Sequence, residues 1–521
     1  MDTKEILRFC LEKGLLLDKE VLGLFSEEGD IDSVKLIIEK LRNHTQKKLI
    51  TKDLFYENKD QVNMFFSSLP KENQEKLEGL KIKLGLSIEI SKEVMFPVKK
   101  EFKREVVEDI PGVKILSVNC AKGKKFKVAD FIEYFRNRFL EMRGFLQGNP
   151  ALDNLVSIDK ISGIRQGVSL IGMIFDKRIT KNKNIIFEIE DLTGKTKVLV
   201  NKDKEDLFKK AEEIALDSVI GFRCSGSKEM LFVNDIVFPE AKLFERKKSQ
   251  EEEYALFIGD VHYGSKKFMK ENFLKFIDYL NGKIPNTPEV SKIKYLFIVG
   301  DLITGVGNYP NQEKDLEIIG LEDQFVSIAE ILGTIRKDIK IIICPGNHEG
   351  VRLMEPQPIY DEKYAWALYD LENVILAENP SLVNIGGKKD FPGFNILFYH
   401  GFSYQFYANK VPNLMKLKAM NVPEEIMKYL LMHRHLAPTH GSVQYFPCNK
   451  DSHVIRQIPD IFISGHTHKS AVSYFNNILV ICCSTWEEMT PYQEKFGNVP
   501  DHCKVPMVNL KTRAIKILDF E

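Results

Sequence analysis

Eight residues of three types recur in one setting along this sequence. Asp260 and His262 follow the apolar run "ALFI", Asp301 follows "YLFIV", and Asn347 and His348 follow "IIIC". His400 follows "NILFY", and His466 and His468 follow "IFIS". A single such pair could be loop punctuation, since Asp, Asn and Gly are ordinary turn residues. As a set they form a ligand inventory: two carboxylates, one amide oxygen and four imidazoles, with His348 left over. That mixed N/O set suits Mn, Fe or Zn better than a soft thiolate metal. Seven ligands exceed the ~four of a single zinc site, which implies two ions ~3.5–4 Å apart sharing one carboxylate. Such a centre hydrolyses phosphate esters: a bridging hydroxide attacks while the ions stabilise charge on the phosphate oxygens. His348 directly follows a ligand and is the candidate general acid for the leaving oxygen.

For these residues to meet, the runs before them must be neighbouring strands. The apolar runs within 255–258, 295–299, 341–344, 395–399, 461–464 and 478–483 alternate with helical patterns such as "KENFLKFIDYLNG", "LEDQFVSIAEILGTIRKD" and "IYDEKYAWALYDLE". That alternation predicts an α/β layered fold with buried sheets. In such sheets the carboxyl ends of the strands share a rim, and ligands bind there. The stretch "KVPNLMKLKAMNVPEEIMKYLLMHRH" reads as a helical insertion whose Met and Leu stripe is core. Cys344, Cys482 and Cys483 read as buried filler.

At 521 residues the chain exceeds the ~250–300 that one core supports. Residues 1–70 carry helical periodicity, with Ile6, Leu7, Cys10 and Leu11 on one face, and read as a small helical module. Residues 71–125 mix charge with short apolar pieces and read as a linker. Residues 126–243 combine an amphipathic helix ended by Gly148 with strand pairs, and a helix before the final pair. This pattern predicts a small Greek-key barrel of the oligonucleotide/oligosaccharide-binding (OB) fold. Such barrels bind single strands through aromatics and basic residues, but few aromatics sit at exposed-looking positions here. Residues 244–521 hold the metal ligands.

Composition narrows the function classes. Basic and acidic residues number 74 each, so any nucleic-acid affinity must come from a local patch. Eight scattered cysteines without CxxC spacing argue against a disulfide framework or zinc knuckle and suit a reducing cytoplasm. No apolar run approaches the ~18–20 residues that cross a bilayer, and "MDTKEILRFCLEKG" lacks the signal-peptide pattern, so no membrane partner is expected.

Together "GDVHYG", "GDLITG", "GNHE", "HG" at 400–401 and "GHTH" resemble the calcineurin-like metallophosphoesterases. The resemblance implies a sandwich of two mixed sheets flanked by helices. It assigns Asp260, His262, Asp301 and His468 to one ion and Asp301, Asn347, His400 and His466 to the other, with Asp301 bridging and His348 catalytic. One departure stands out. Many members place an Asp or His three residues after the bridging Asp, where it orients the catalytic histidine; here that position is Thr304.

The layout of helical module, barrel and phosphoesterase is similar to the small-subunit family of archaeal family-D DNA polymerase. "RFLEMRGFLQ", "GDVHYGSKKF", "GVGNYPNQ" and "RHLAPTHGS" carry this from about residue 125 onward. The resemblance implies a proofreading 3′–5′ exonuclease with two divalent ions, Mn in first place and Fe or Zn as alternatives. Its implied partners are a large polymerase subunit, primer DNA and a sliding clamp, in a cytoplasmic setting. "MHRHLAPTHG" adds His433, Arg434, His435 and His440; of these, Arg434, His435 and His440 are candidate DNA contacts, or else a polar loop beside the site. The competing readings are a mainly structural B-subunit with weak phosphoesterase activity and a free-standing phosphatase or phosphodiesterase.

Overall fold

The computed structural model describes residues 3–27, 112–117 and 125–521, with short pieces between residues 34 and 54. Residues 1–105 and 106–521 form separate compact units. In the first, helices α1 (Thr3–Glu12) and α2 (Lys19–Glu27) accompany two short parallel strands, β1 (Leu16–Leu17) and β2 (Leu49–Ile50). Ile6 and Cys10, one helical turn apart, are buried with Val21 and Phe25. Leu11 is exposed, so the apolar face is narrower than its spacing suggested. The rest of the expected helical module and most of the expected 71–125 linker lie outside the described residues.

Within that linker one piece departs from expectation. Val113–Ile115 is strand β3, paired antiparallel at the edge of a six-stranded sheet. Its period-two pattern, with Val113 buried and Lys114 exposed, is too short to stand out in a charged stretch. Helix α3 (Val128–Leu146) then buries Tyr134, Arg138, Phe139, Met142 and Leu146 along one face.

A closed barrel follows, in the order β4 (Gln166–Ile179), β5 (Ile185–Glu190), β6 (Lys195–Val200), β8 (Met230–Val237) and β7 (Val219–Ser227). Helix α4 (Glu205–Glu212) connects β6 to β7, ahead of the final strand pair. Alternate residues point inward, so Ile174, Phe187, Val198, Phe222 and Leu231 fill the barrel. Each such side chain contributes about 1.5–3 kcal/mol by leaving water. Two barrel aromatics are exposed after all: Phe175, with Lys195 Nζ over its ring, and Phe232.

The strands that precede the eight residues lie in two mixed six-stranded sheets. The first runs β12 (Val374–Leu376), β11 (Lys340–Cys344), β10 (Ile293–Val299), β9 (Tyr254–Ile258), β18 (Lys504–Asn509) and β19 (Ile515–Asp519). Its first four strands are parallel, and β18 joins β9 antiparallel. The second runs β16 (Ala471–Phe475), β17 (Ile478–Cys482), β15 (Ile461–Ser464), β14 (Phe394–Phe398), β13 (Ser381–Ile385) and β3. Phe257, Phe297 and Ile342 face Phe398, Ile463 and Ile481 to form the core between the sheets. On the outer face of the first sheet, Leu256, Ile298 and Ile343 pack on helices α5 (Lys270–Leu280) and α6 (Leu321–Gly333). Helix α7 (Pro423–His433) covers the second sheet, with Met427, Leu430 and Leu431 buried as the insertion's stripe predicts.

Cys344, Cys482 and Cys483 are buried free thiols, as expected. Cys448 is disulfide-bonded, which the scattered cysteine spacing does not indicate. Among the described residues no helix is long and apolar enough to cross a membrane.

Candidate metal centre

Every one of the eight residues sits just beyond the carboxyl end of a parallel strand. Asp260 and His262 follow β9, Asp301 follows β10, Asn347 and His348 follow β11, His400 follows β14, and His466 and His468 follow β15. The turns are sharp. Asp260, His262, Asp301, His466 and His468 all have φ between 47° and 68°, the left-handed region that costs side-chain-bearing residues about 1 kcal/mol or more each. Five strained residues in one cluster persist because neighbouring groups overdetermine them. Asp260 accepts the backbone N–H of His466 at 3.0 Å, and Asp301 accepts that of His348 at 3.0 Å. A Cβ on Gly346 would lie 2.2 Å from Asp301 Oδ1, which explains the glycine before Asn347.

Three groups of possible ligand atoms converge: Asp260, His262 and His468; His262, Asp301 and His348; and Asp301, His400 and His466. His262 Nε2 lies 3.1 Å from His468 Nε2, and His468 Nε2 lies 3.4 Å from Asp260 Oδ1. On the other side, Asn347 Oδ1 is 3.0 Å from His400 Nε2 and 3.1 Å from His466 Nδ1. Those two nitrogens are 3.3 Å apart. Asp301 Oδ2 stands between the groups, 3.3 Å from His400 Nε2 and 3.8 Å from His262 Nε2.

The proton positions fit a cation. His400 Nδ1–H donates to the Val299 carbonyl at 3.1 Å, so its Nε2 turns to the centre. Burial, then the His348 imidazole, hold His262 well below the ordinary histidine range, and burial, then His400, lower His466 to about 3. Neutral rings are the ligand form. Burial alone would raise the Asp301 carboxyl, yet His400, His348 and His262 hold it well below the carboxylate range. Burial would likewise lower His400, but Asp301 pulls it up to about 10. The carboxylate calls for positive charge where the lone pairs meet.

Residues beyond the eight also hold the centre. Glu349 is buried and accepts from the N–H groups of Leu302 and, at 2.7 Å, Gly346, tying the second and third ligand loops together. Burial, with the Asp301 charge, pushes its carboxyl up to about 8. Asn379 accepts the His400 N–H at 2.9 Å and donates to Gln357 at 2.6 Å; Gln357 in turn donates to the Gly346 carbonyl at 2.7 Å. Their positions, 357 and 379, fall outside every ligand loop, so only the fold shows their role.

Of the three candidate DNA contacts, the structure contradicts His435. His435 is buried and donates through Nε2 to Asp451 Oδ2 at 3.0 Å, so it offers nothing to a strand. The Arg434 guanidinium donates to the carbonyls of Ile455 and Arg456 and stacks on Phe145. His440 is exposed, beside Phe135 and Tyr445.

Comparison with known proteins agrees with this geometry. The calcineurin-like phosphoesterase family matches residues 255–470. That fold family implies a divalent metal at the Asp and His cluster. The DNA polymerase II small subunit of Pyrococcus furiosus is 36% identical over 437 residues, covering 81% of this chain and 69% of that protein. The Pyrococcus horikoshii protein of the same name is 34% identical over 470 residues, covering 87% and 73%. That of Methanothermobacter thermautotrophicus is 33% identical over 432 residues, covering 82% and 85%.

Proposed function

Since this chain belongs to the small-subunit family of archaeal family-D DNA polymerase, we propose that it is a 3′–5′ exonuclease acting on mismatched or single-stranded 3′ ends. The observation that carries this reading is the position of Asp301 Oδ2, within 3.8 Å of one ligand group and 3.3 Å of the other. A carboxylate placed so can be shared by two ions. Asp260, His262 and His468 would complete one ligand set, and Asn347, His400 and His466 the other. Two bound divalent ions would supply an activated water and neutralise charge on the phosphate. Manganese leads by the family resemblance, and the N/O donor set admits Fe or Zn as alternatives.

The protein's own groups do the remaining work. Asp301 is almost fully buried, whereas 22% of the His348 side chain is exposed, so His348 can meet a substrate. Its Nε2 proton passes to the departing 3′ oxygen as the P–O bond breaks and the bonding pair leaves with that oxygen. The barrel, read as an OB fold, supports a strand rather than a small phosphomonoester as substrate; exposed Phe175 and Phe232 suit base stacking.

The test compares the purified chain with its His348→Ala and Asp301→Ala variants on labelled primers and on a phosphomonoester. We expect primer shortening to fall by on the order of 10²–10³-fold or more in both variants. Equal degradation by all three proteins, or cleavage of the monoester alone, would sink the reading. The relatives' name supports a second role, holding a larger polymerase subunit, with a sliding clamp as a further candidate partner. Failure to co-purify with a larger polymerase chain from native extract would count against that role.

A further inference from the structure

Resting on the reading of His348 as general acid, we infer that the loop "GVGNYPNQ" is its positioning device, acting through the Thr304 main-chain carbonyl. His348 Nδ1–H donates to that carbonyl at 2.9 Å. The imidazole is thereby fixed with Nε2 toward the centre, 3.9 Å from Asp301 Oδ2. The Thr304 side chain takes no part, since its hydroxyl is turned away to the His262 carbonyl at 2.7 Å. A main-chain oxygen therefore does what an Asp or His side chain at this position would do.

A carbonyl in a loop orients a ring only if the loop itself is held. Asn308 Nδ2 donates to the same Thr304 oxygen at 3.0 Å and reaches the His348 carbonyl at 3.4 Å. Those two carbonyls settle the orientation of the Asn308 amide, because its oxygen would repel both. Its 3.3 Å approach to His348 Nδ1 is then two donors sharing one acceptor, not a bond between them. Gln312, wholly buried, makes the third contact at 3.2 Å from the Thr304 oxygen and accepts the Asn308 N–H at 2.8 Å. Gln324, also wholly buried, clamps Gly305 from the other side at 2.8 and 3.2 Å. Gly305 has φ +67°, and a Cβ there would meet the His348 carbonyl oxygen at 1.9 Å. The loop thus lies directly on the backbone of the residue it orients.

The prediction separates positioning from bulk structure. Gln312→Ala and Asn308→Ala should lower kcat on a single-stranded oligonucleotide by about 10–100-fold, the usual effect of removing an outer-shell partner, with KM and bound Mn²⁺ unchanged. On bis(p-nitrophenyl) phosphate, whose leaving group departs without a proton, the loss should shrink to less than about threefold. Asn308 is exposed, so its variant tests the idea even if Gln312→Ala folds poorly. Wild-type kcat in Asn308→Ala, or equal losses on the two substrates, would overturn the inference. His348→Ala is run beside them. If it loses kcat while the loop variants keep theirs, only this inference falls. If it keeps kcat, the general-acid reading falls with it.

Discussion

Two clusters of histidines and carboxylates lie in the phosphoesterase region, and they are built on opposite plans. At the metal centre, candidate ligand atoms crowd against one another: His262 Nε2 lies 3.1 Å from His468 Nε2, and His466 Nδ1 lies 3.3 Å from His400 Nε2. In the second cluster each carboxylate meets a proton. Asp451 receives Arg138 Nε at 2.5 Å, Tyr134 Oη at 2.7 Å and His435 Nε2 at 3.0 Å. Glu355 receives His453 Nε2 at 2.7 Å and Tyr399 Oη at 3.1 Å. Burial would raise Asp451 and lower His453. Arg138 nevertheless holds Asp451 well below the carboxylate range, and hydrogen bonds to Asp451 and Glu355 lift His453 to about 9. Arg138 and His453 thereby balance Asp451 and Glu355 within the interior. Residue type does not distinguish a site from a strut; the pairing of each carboxylate with a donor of its own does.

The largest expected effect tests the strut. Asp451→Ala leaves Arg138 buried without its counter-ion, which should cost about 3–5 kcal/mol in urea denaturation. The metal content of the folded fraction should stay at the wild-type value. Loss of metal at unchanged stability would merge the two clusters into one.

A smaller effect appears with pH. The folded-state pKa of His453 is raised from 6.5 to about 9, so its contribution is complete below about pH 6.5 and fades as pH rises toward 9. Wild-type stability should therefore carry a falling component of up to about 1.4 kcal/mol per pH unit across that window. His453→Gln should abolish the component, and an identical slope in the variant would show that His453 is not the charged member.

The smallest effect sharpens the contrast at the surface. His440→Ala should change stability by no more than about 0.5 kcal/mol while weakening single-strand binding, measured by fluorescence anisotropy. Unchanged binding would remove His440 from the candidate DNA contacts.

These contrasts show what the amino-acid order could reveal. The candidate metal ligands could be grouped because each follows an apolar strand, and the shared rim of a parallel sheet makes sequence position into spatial position. The strut could not: Arg138 and Asp451 are 313 residues apart and neither belongs to a recurring pattern. His435 was misassigned because its pairing with Asp451 and stacking on His453 leave no mark in the residues around it. Likewise the buried amides Gln312, Gln324, Gln357 and Asn379 act through main-chain contacts that any sequence can offer.

The strand order has a consequence for synthesis. The centre needs Asp260 at one end and His468 at the other, and β9, which carries Asp260, is paired on one side by β18, made some 250 residues later. While these segments are still emerging from the ribosome, the ligand loops have no completed sandwich to strain against. Assembly of the complete ligand set thus waits until the late strand has been made.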